Sequence, residues 1–352
     1  MAIVAENRNL VLDYAKAICI VLMVIGHCCA FGQLIFFIYT FHMPCFFFVS
    51  GMVLSDQCIE NINYGIKRKL YSYYLSFIKC AVIFILLHNF FVYLGLIDCY
   101  YSLTDTVIKI LRVFILRNNE KLIIPLWFVA SLSVVSVMTV IYCSIMCKKR
   151  KLNTVSVSML ILFSLLAAYL ASNEMVMSVI PMMKIVLLSL SFYAMGYLFR
   201  KNDLINSKLI DYGWIMYIVC FIVSLYEKLE FFQVSGVSVL IFFLTGICGS
   251  IATLSVCRKL CSLGINNYVV YIGQHTFVIM LFNYLSFRFV NFAYALMSDL
   301  TICEAVQCNV LYPNNWLWIV YTLVAVLLPL LISRVFRQII LFVIFRNQCK
   351  SA

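Results

Sequence analysis

Apolar runs of about twenty residues recur from one end of the chain to the other, broken by short polar stretches. A helix needs about twenty such residues to cross a hydrocarbon core roughly 30 Å thick. The short alternating segments of a membrane barrel are lacking. The pattern predicts an all-α fold, a polytopic membrane helical bundle of about ten transmembrane helices. They fall at 10–30, 33–55, 71–95, 124–146, 154–172, 179–198, 212–226, 234–256, 267–289 and 316–334. No linker, low-complexity stretch or internal repeat divides the chain, so residues 1–352 read as a single integral membrane domain, with the polar-bearing spans at 10–30 and 33–55.

Composition agrees: 65% of the 352 residues are hydrophobic and 11% charged, with a mean hydropathy of +1.03. The net charge of +12 is not spread evenly. With the N-terminus inside, the inner segments hold Arg8, Lys67, Arg68, Lys69, Lys148, Lys149, Arg150, Lys151, Arg200, Lys201, Lys208, Arg258, Lys259, Arg334, Arg337, Arg346 and Lys350. The outer segments hold Lys109, Arg112, Arg117, Lys121, Lys228 and Arg288. This is the positive-inside pattern and predicts two cytoplasmic termini in a cell membrane, as in the bacterial cytoplasmic membrane. Short basic loops facing anionic lipid headgroups account for the charge, so the partner is membrane lipid and no nucleic acid is implied. Glu6, Asp13 and Lys16 interrupt the first apolar run, which argues against a cleavable signal.

Most of the sixteen cysteines lie singly inside spans, where a thiol acts as a small hydrophobe. Only Cys303 and Cys308 share an outer segment and are candidates to pair. The CxxC and HxxxH spacings of zinc sites are missing, so no metal is expected. In the outer segment 96–123, "SLTDTVIKILRVFIL" predicts an amphipathic helix begun by Thr104 or Asp105 and lying in the membrane interface.

The first span, "DYAKAICIVLMVIGH" (Asp13 to His27), carries ionisable groups at both ends. Lys16 and His27 are 11 residues apart, about 20° past three full turns and about 16 Å along the axis, so they share one helix face. Asp13, three residues before Lys16, joins that face. Such a stripe belongs to a bundle interior or polar cavity rather than lipid. Taken singly, Asp13 and Lys16 also fit an interfacial anchor, and His27 a hydrogen-bonded core histidine. The next span, "FHMPCFFFVSG" (Phe41 to Gly51), adds His42 beside Pro44. A proline inside a span bends it and frees carbonyls, which are tolerated only in protein or facing a cavity. A polar pocket between the first two spans is therefore expected. Trp127, Gln274 and His275 read mainly as packing residues.

Together with "PLWFVASL" (Pro125 to Leu132), these two segments resemble the acyltransferase 3 family of integral membrane enzymes, and most closely its fucose 4-O-acetylase-like branch. Lys16, ten residues and His27 match that family's first-span signature, with Asp13 at its preceding aspartate. The resemblance implies transfer of an acyl group, usually acetyl, from cytoplasmic acyl-CoA to a hydroxyl of a cell-envelope glycan or lipid-linked sugar. His27 is then the general base or an acyl-carrying nucleophile. Lys16 is the donor-binding cation, Asp13 the group that keeps it charged, and His42 an orienting or polarising group. Two positions depart from the family: lysine stands where arginine is frequent, a point charge in place of a bidentate fork, and Asn283 stands where relatives end "YIGQHTFVIMLFN" (Tyr271 to Asn283) in a histidine. The alternative from another class is a secondary transporter or flippase of a small or lipid-linked sugar, but repeated halves and paired broken helices are not evident.

Overall fold

The computed structural model describes residues 9–348 apart from 29, 118–119, 173–180, 265, 299, 302–304, 306–308 and 312–315. Cys303 and Cys308 lie outside the described residues. The α-helices of eight or more described residues are α1 Leu10–His27, α2 Gly32–Tyr39, α3 His42–Met52, α4 Ile62–Tyr93, α5 Leu103–Phe114, α6 Trp127–Lys148 and α7 Thr154–Ala171. They continue as α8 Pro181–Lys201, α9 Met216–Tyr226, α10 Val237–Leu263, α11 Asn267–Gln274, α12 Thr276–Ala295 and α13 Leu317–Gln348. Among the described residues there is no strand. Among the described residues nine stretches are long and apolar enough to cross a membrane, and Ile210–Tyr226 is a shorter apolar helix at the expected span 212–226. The protein is a polytopic helical bundle.

The span expected at 267–289 is broken at His275, between α11 and α12, and the stretch long enough to span is Thr276–Ala295. Three other departures have local causes. The span expected at 33–55 is two helices, with the break at Thr40 and Phe41 rather than at Pro44. Pro44 sits in the first turn of α3, where its missing N–H costs no hydrogen bond. Placing the break three residues earlier moves the proline from a costly interior position to a neutral one. The span expected at 71–95 starts earlier, since α4 runs unbroken through a π-helical turn at Leu70–Tyr74. Its 32 residues extend about 48 Å, more than the hydrocarbon core, so the end with Lys67, Arg68 and Lys69 projects beyond the apolar part.

The third departure is α5. Ser102, not Thr104 or Asp105, is its N-cap, in a reciprocal capping box with Asp105. The Ser102 hydroxyl (2.7 Å) and the Ser102 backbone N–H (3.1 Å) both donate to Asp105 Oδ2 and hold the exposed Asp105 carboxyl below its usual range. The side chain of Asn89 in α4 pairs with the backbone of Tyr101 at one end, and the Tyr74 hydroxyl donates to the Phe114 carbonyl at the other (2.9 Å). Asn89 and Tyr74 are about 22 Å apart along α4. The helix therefore runs antiparallel beside α4, along its apolar length, instead of lying flat in the interface. Exposed Leu103, Val107 and Leu111 explain this: the side turned away from α4 is itself apolar.

One end of the bundle gathers the start of α1 with segments 55–60, 149–154, 200–208 and 258–264. Tyr14 donates to the Gly264 carbonyl, Ser144 to that of Ile59, Lys201 to that of Leu152, and Arg258 to those of Ile205 and Ser207. Arg200 pairs with Asp56. This "basic end" holds the segments that the charge pattern assigned to one side. One helix crossing is backbone-close at two points: a Cβ on Gly51 would lie 2.0 Å from the Tyr193 carbonyl oxygen, and one on Gly196 1.8 Å from that of Phe48. Small residues at both positions let α3 seat on α8, the packing device of membrane helices.

Candidate active site

A cavity of about 650 Å³ runs through the middle of the bundle. Lys16, Ser72, Tyr73, Ser76, Gly273 and Gln274 line it toward the basic end. His27, Tyr39, Pro125, Trp127 and the loop residues Glu230, Phe231 and Phe232 line it toward the other. Its middle is apolar, with Ile20, Met23, Phe128, Phe277 and Met280. The stripe on α1 therefore faces a cavity and not lipid.

Lys16, His27 and His42 all line this one cavity. Asp13 does not; it is buried behind it, with Oδ1 3.4 Å from Lys16 Nζ. The packing at Asp13 is tight because a Cβ on Gly273 would lie 2.0 Å from its carbonyl oxygen, so α11 abuts α1 there. The Lys16 side chain is 26% exposed, which leaves its ammonium open to the cavity.

The two histidines are held differently. His27 Nδ1 is 3.3 Å from the Tyr284 hydroxyl on α12, and its Nε2 makes no hydrogen bond among the described residues. His42 Nδ1 is 2.9 Å from the Ile38 carbonyl, which can only accept, so Nδ1 carries the proton and neutral His42 has its lone pair on Nε2. Tyr39 stacks on His42 at 5.2 Å between ring centroids and donates its hydroxyl to the Gly26 carbonyl, next to His27 (3.0 Å). Tyr39 thus joins the two histidine-bearing helices. The site offers a neutral imidazole with a free nitrogen, a second imidazole, and one cation about 16 Å away along α1. It is suited to moving a proton or an acyl group at one end while holding an anion at the other.

Sequence reasoning missed several of these residues. Tyr284 gave no signal beyond being next to Asn283, which is itself fully buried with its amide toward Met23 and off the cavity lining. Trp127 and Gln274, expected to pack, line the cavity. His275 bonds the Tyr271 carbonyl at the junction of α11 and α12. His88 is buried in a separate cluster: Nδ1 is 3.0 Å from Glu120 Oε2, Nε2 is 2.7 Å from the Cys99 carbonyl, and Tyr101 stacks on the ring. Tyr101 also donates to Glu120, and burial together with that carboxylate pushes its hydroxyl pKa up. This cluster fixes the segment leading into Ile124 and Pro125 of the cavity wall. Among the described residues no group of three or more His, Cys, Asp or Glu side chains is arranged to hold a metal ion.

An all-helical membrane bundle with a buried, histidine-bearing cavity is the setting of an integral membrane transferase. The sequence profile of the acyltransferase 3 family, described as an acyltransferase domain, matches residues 9–334, and the chain belongs to that family. No curated protein and no solved structure matches the chain.

Proposed function

We propose that the protein is an O-acyltransferase that takes an acyl group, in first place acetyl, from cytoplasmic acyl-CoA at the basic end and passes it to a hydroxyl of a cell-envelope glycan or lipid-linked sugar at the other. The fucose 4-O-acetylase-like branch is part of this proposal, supported by the likeness of the segments Asp13 to His27 and Phe41 to Gly51. The observation that carries the reading is the single cavity that holds Lys16 and both histidines. The basic end faces the cytoplasm in this reading, and its cations draw the donor's phosphates. The cavity's apolar middle suits an extended acyl-carrying arm.

Transfer needs a base, and His27 Nε2 is free to be one. In the direct route His27 takes the acceptor hydroxyl proton, the oxygen attacks the thioester carbonyl, the C–S bond breaks, and the imidazolium returns its proton to the departing CoA thiolate. In the two-step route Nε2 itself attacks the thioester carbonyl, the C–S bond breaks and CoA leaves as the thiolate, taking up the ring's Nδ1 proton; the acceptor hydroxyl then attacks the acyl-imidazole, gives its proton to the ring and takes the acyl group. His42, with Nε2 unprotonated, orients or polarises the acceptor. Asp13 keeps Lys16 charged and in place.

The test is purified protein in lipid nanodiscs with radiolabelled acetyl-CoA and a panel of envelope glycans. Label should move to a glycan, and His27→Ala should abolish transfer while the protein remains inserted. Activity in His27→Ala within a few-fold of wild type would overturn the mechanism. Sugar uptake by proteoliposomes without any acyl transfer would favour a transporter.

A further inference from the structure

The cavity mouth away from the basic end is built unlike the rest of the site. The loop 227–236 between α9 and α10 folds inward there. Phe231 packs on Phe47, Trp127, Phe192 and Phe242, and Phe232 meets Trp127 edge-on at 4.9 Å. Among the described residues Glu230 is the only acidic one on the cavity lining, and Lys16, the only Lys or Arg among them there, lies at the opposite end. Gln233 Nε2 donates to Glu230 Oε2 (2.7 Å), while Oε1 makes no hydrogen bond among the described residues. A half-buried carboxylate with a spare oxygen beside aromatic rings accepts hydroxyl donors well, and the rings' negative faces suit the weakly positive C–H face of a sugar. The same carboxylate repels an anion.

The loop is pinned from beneath. Lys184 on α8 is 1% exposed, and its ammonium donates to the Phe232 (2.8 Å) and Val234 (2.7 Å) carbonyls. Ser172 Oγ accepts from the Gly236 N–H (2.9 Å). A buried cation coordinated by two backbone carbonyls sets where Glu230 and Phe232 stand, without touching the cavity itself.

We infer that Glu230, Trp127 and Phe232 form the acceptor subsite, that it takes an uncharged polyhydroxylated ring and rejects an acidic sugar, and that Lys184 is its positioning residue. The inference rests on the acyltransferase reading for the word acceptor, and its test uses binding alone. With Trp214, Trp316 and Trp318 replaced by phenylalanine, Trp127 is the sole tryptophan emitter. Protein in nanodiscs is titrated, with no acyl donor, against methyl β-D-glucopyranoside and methyl β-D-glucuronide.

The glucoside should change Trp127 emission saturably, and the glucuronide should bind at least about tenfold more weakly, the scale of one like-charge contact. Glu230→Gln should weaken the glucoside several-fold and close the gap between the two sugars. Lys184→Met should weaken the glucoside, with Lys184→Arg restoring part of it. Equal binding of the two sugars, no saturable change, or a Glu230→Gln variant that keeps the full gap would overturn the inference. Because Glu230 is half-buried on a rim, its variant stays interpretable even where Lys184→Met fails to fold. Sugar binding without acyl transfer would sink the enzymatic reading and leave the subsite standing; transfer without this binding would do the reverse.

Discussion

Replacing Lys16 by methionine separates a donor-binding cation from an interfacial anchor, and the structure gives the size of each effect. Methionine keeps the apolar stem, so packing along α1 is preserved. What is lost is the ammonium 3.4 Å from Asp13 Oδ1, whose side chain is 2% exposed. Exposed pairs are worth about 0–1 kcal/mol and breaking a buried one costs about 3–5. With the lysine side chain 26% exposed, the stability loss should fall between, at about 1–2 kcal/mol. If the ammonium also holds a donor phosphate, a charge-assisted hydrogen bond of about 1.5–3 kcal/mol disappears from the bound state, raising the KM for acyl-CoA roughly ten- to hundredfold. The two costs are told apart by Asp13→Asn combined with Lys16→Met. That double variant removes the carboxylate left without its ammonium and should recover most of the thermal stability, yet keep the raised KM. Lys16→Arg should retain a substantial share of activity, because a cation matters more here than its shape. The assay is initial rate against acyl-CoA concentration at equal membrane levels, with melting followed by loss of the monodisperse peak in detergent. Wild-type KM and kcat in Lys16→Met would refute donor binding and return Lys16 to the role of anchor.

Tyr284→Phe removes the hydrogen bond at the His27 Nδ1 and should lower kcat a few-fold, about 1 kcal/mol, with the donor KM unchanged; an unaltered kcat would detach Tyr284 from the chemistry. Gly51→Ala forces a methyl to 2.0 Å from the Tyr193 carbonyl oxygen and should cost about 1–3 kcal/mol or more in detergent melting, whereas Gly32→Ala, with its nearest atom 3.9 Å away, should be nearly silent. Burial raises the Glu230 pKa, so its carboxylate is present above that value and is lost as pH falls through it. Glucoside binding should therefore decline on acidification at a pH above that of a free glutamate, about 4.3, and a flat profile down to that pH would contradict the role. Membrane-impermeant thiol labelling of single cysteines should reach 98–101 from outside the cell and 148–151 and 200–208 only after permeabilisation; the reverse would invert the proposed side of donor binding.

How far the site was legible depends on the distance along the chain over which each residue's meaning is set. The span pattern is a local property of about twenty residues, and the structure reproduces it. The stripe from Asp13 to His27 is set by helical period alone, so its placement of Lys16 and His27 on one cavity needed no knowledge of other helices. Tyr284, Glu230 and Lys184 act across separations that no local pattern encodes: 257 residues from Tyr284 to His27, and 48 and 50 from Lys184 to its two carbonyls. A lone tyrosine or a loop glutamate has the same local surroundings whether or not it meets such a partner. His88 was hidden for the same reason, since its carboxylate is 32 residues away.

Pro44 is the instructive intermediate case. Its presence announced a break, and a break exists, but it falls at Thr40 and Phe41 because the chain lowers its cost by starting α3 just before the proline; the cavity that both spans line is largely apolar. That shift has a chemical result. In an unbroken helix the Ile38 carbonyl would accept the backbone N–H of His42, four residues on. At the break it accepts the N–H of Phe41 instead (3.2 Å) and, with its second lone pair, the imidazole Nδ1–H of His42 (2.9 Å). A carbonyl turned out of the helical ladder therefore fixes the tautomer and leaves Nε2 of His42 unprotonated. The helix defect and the chemistry of the second histidine are one feature: moving Pro44 out of the first turn of α3 would alter the proton inventory of the cavity as well as the path of the chain.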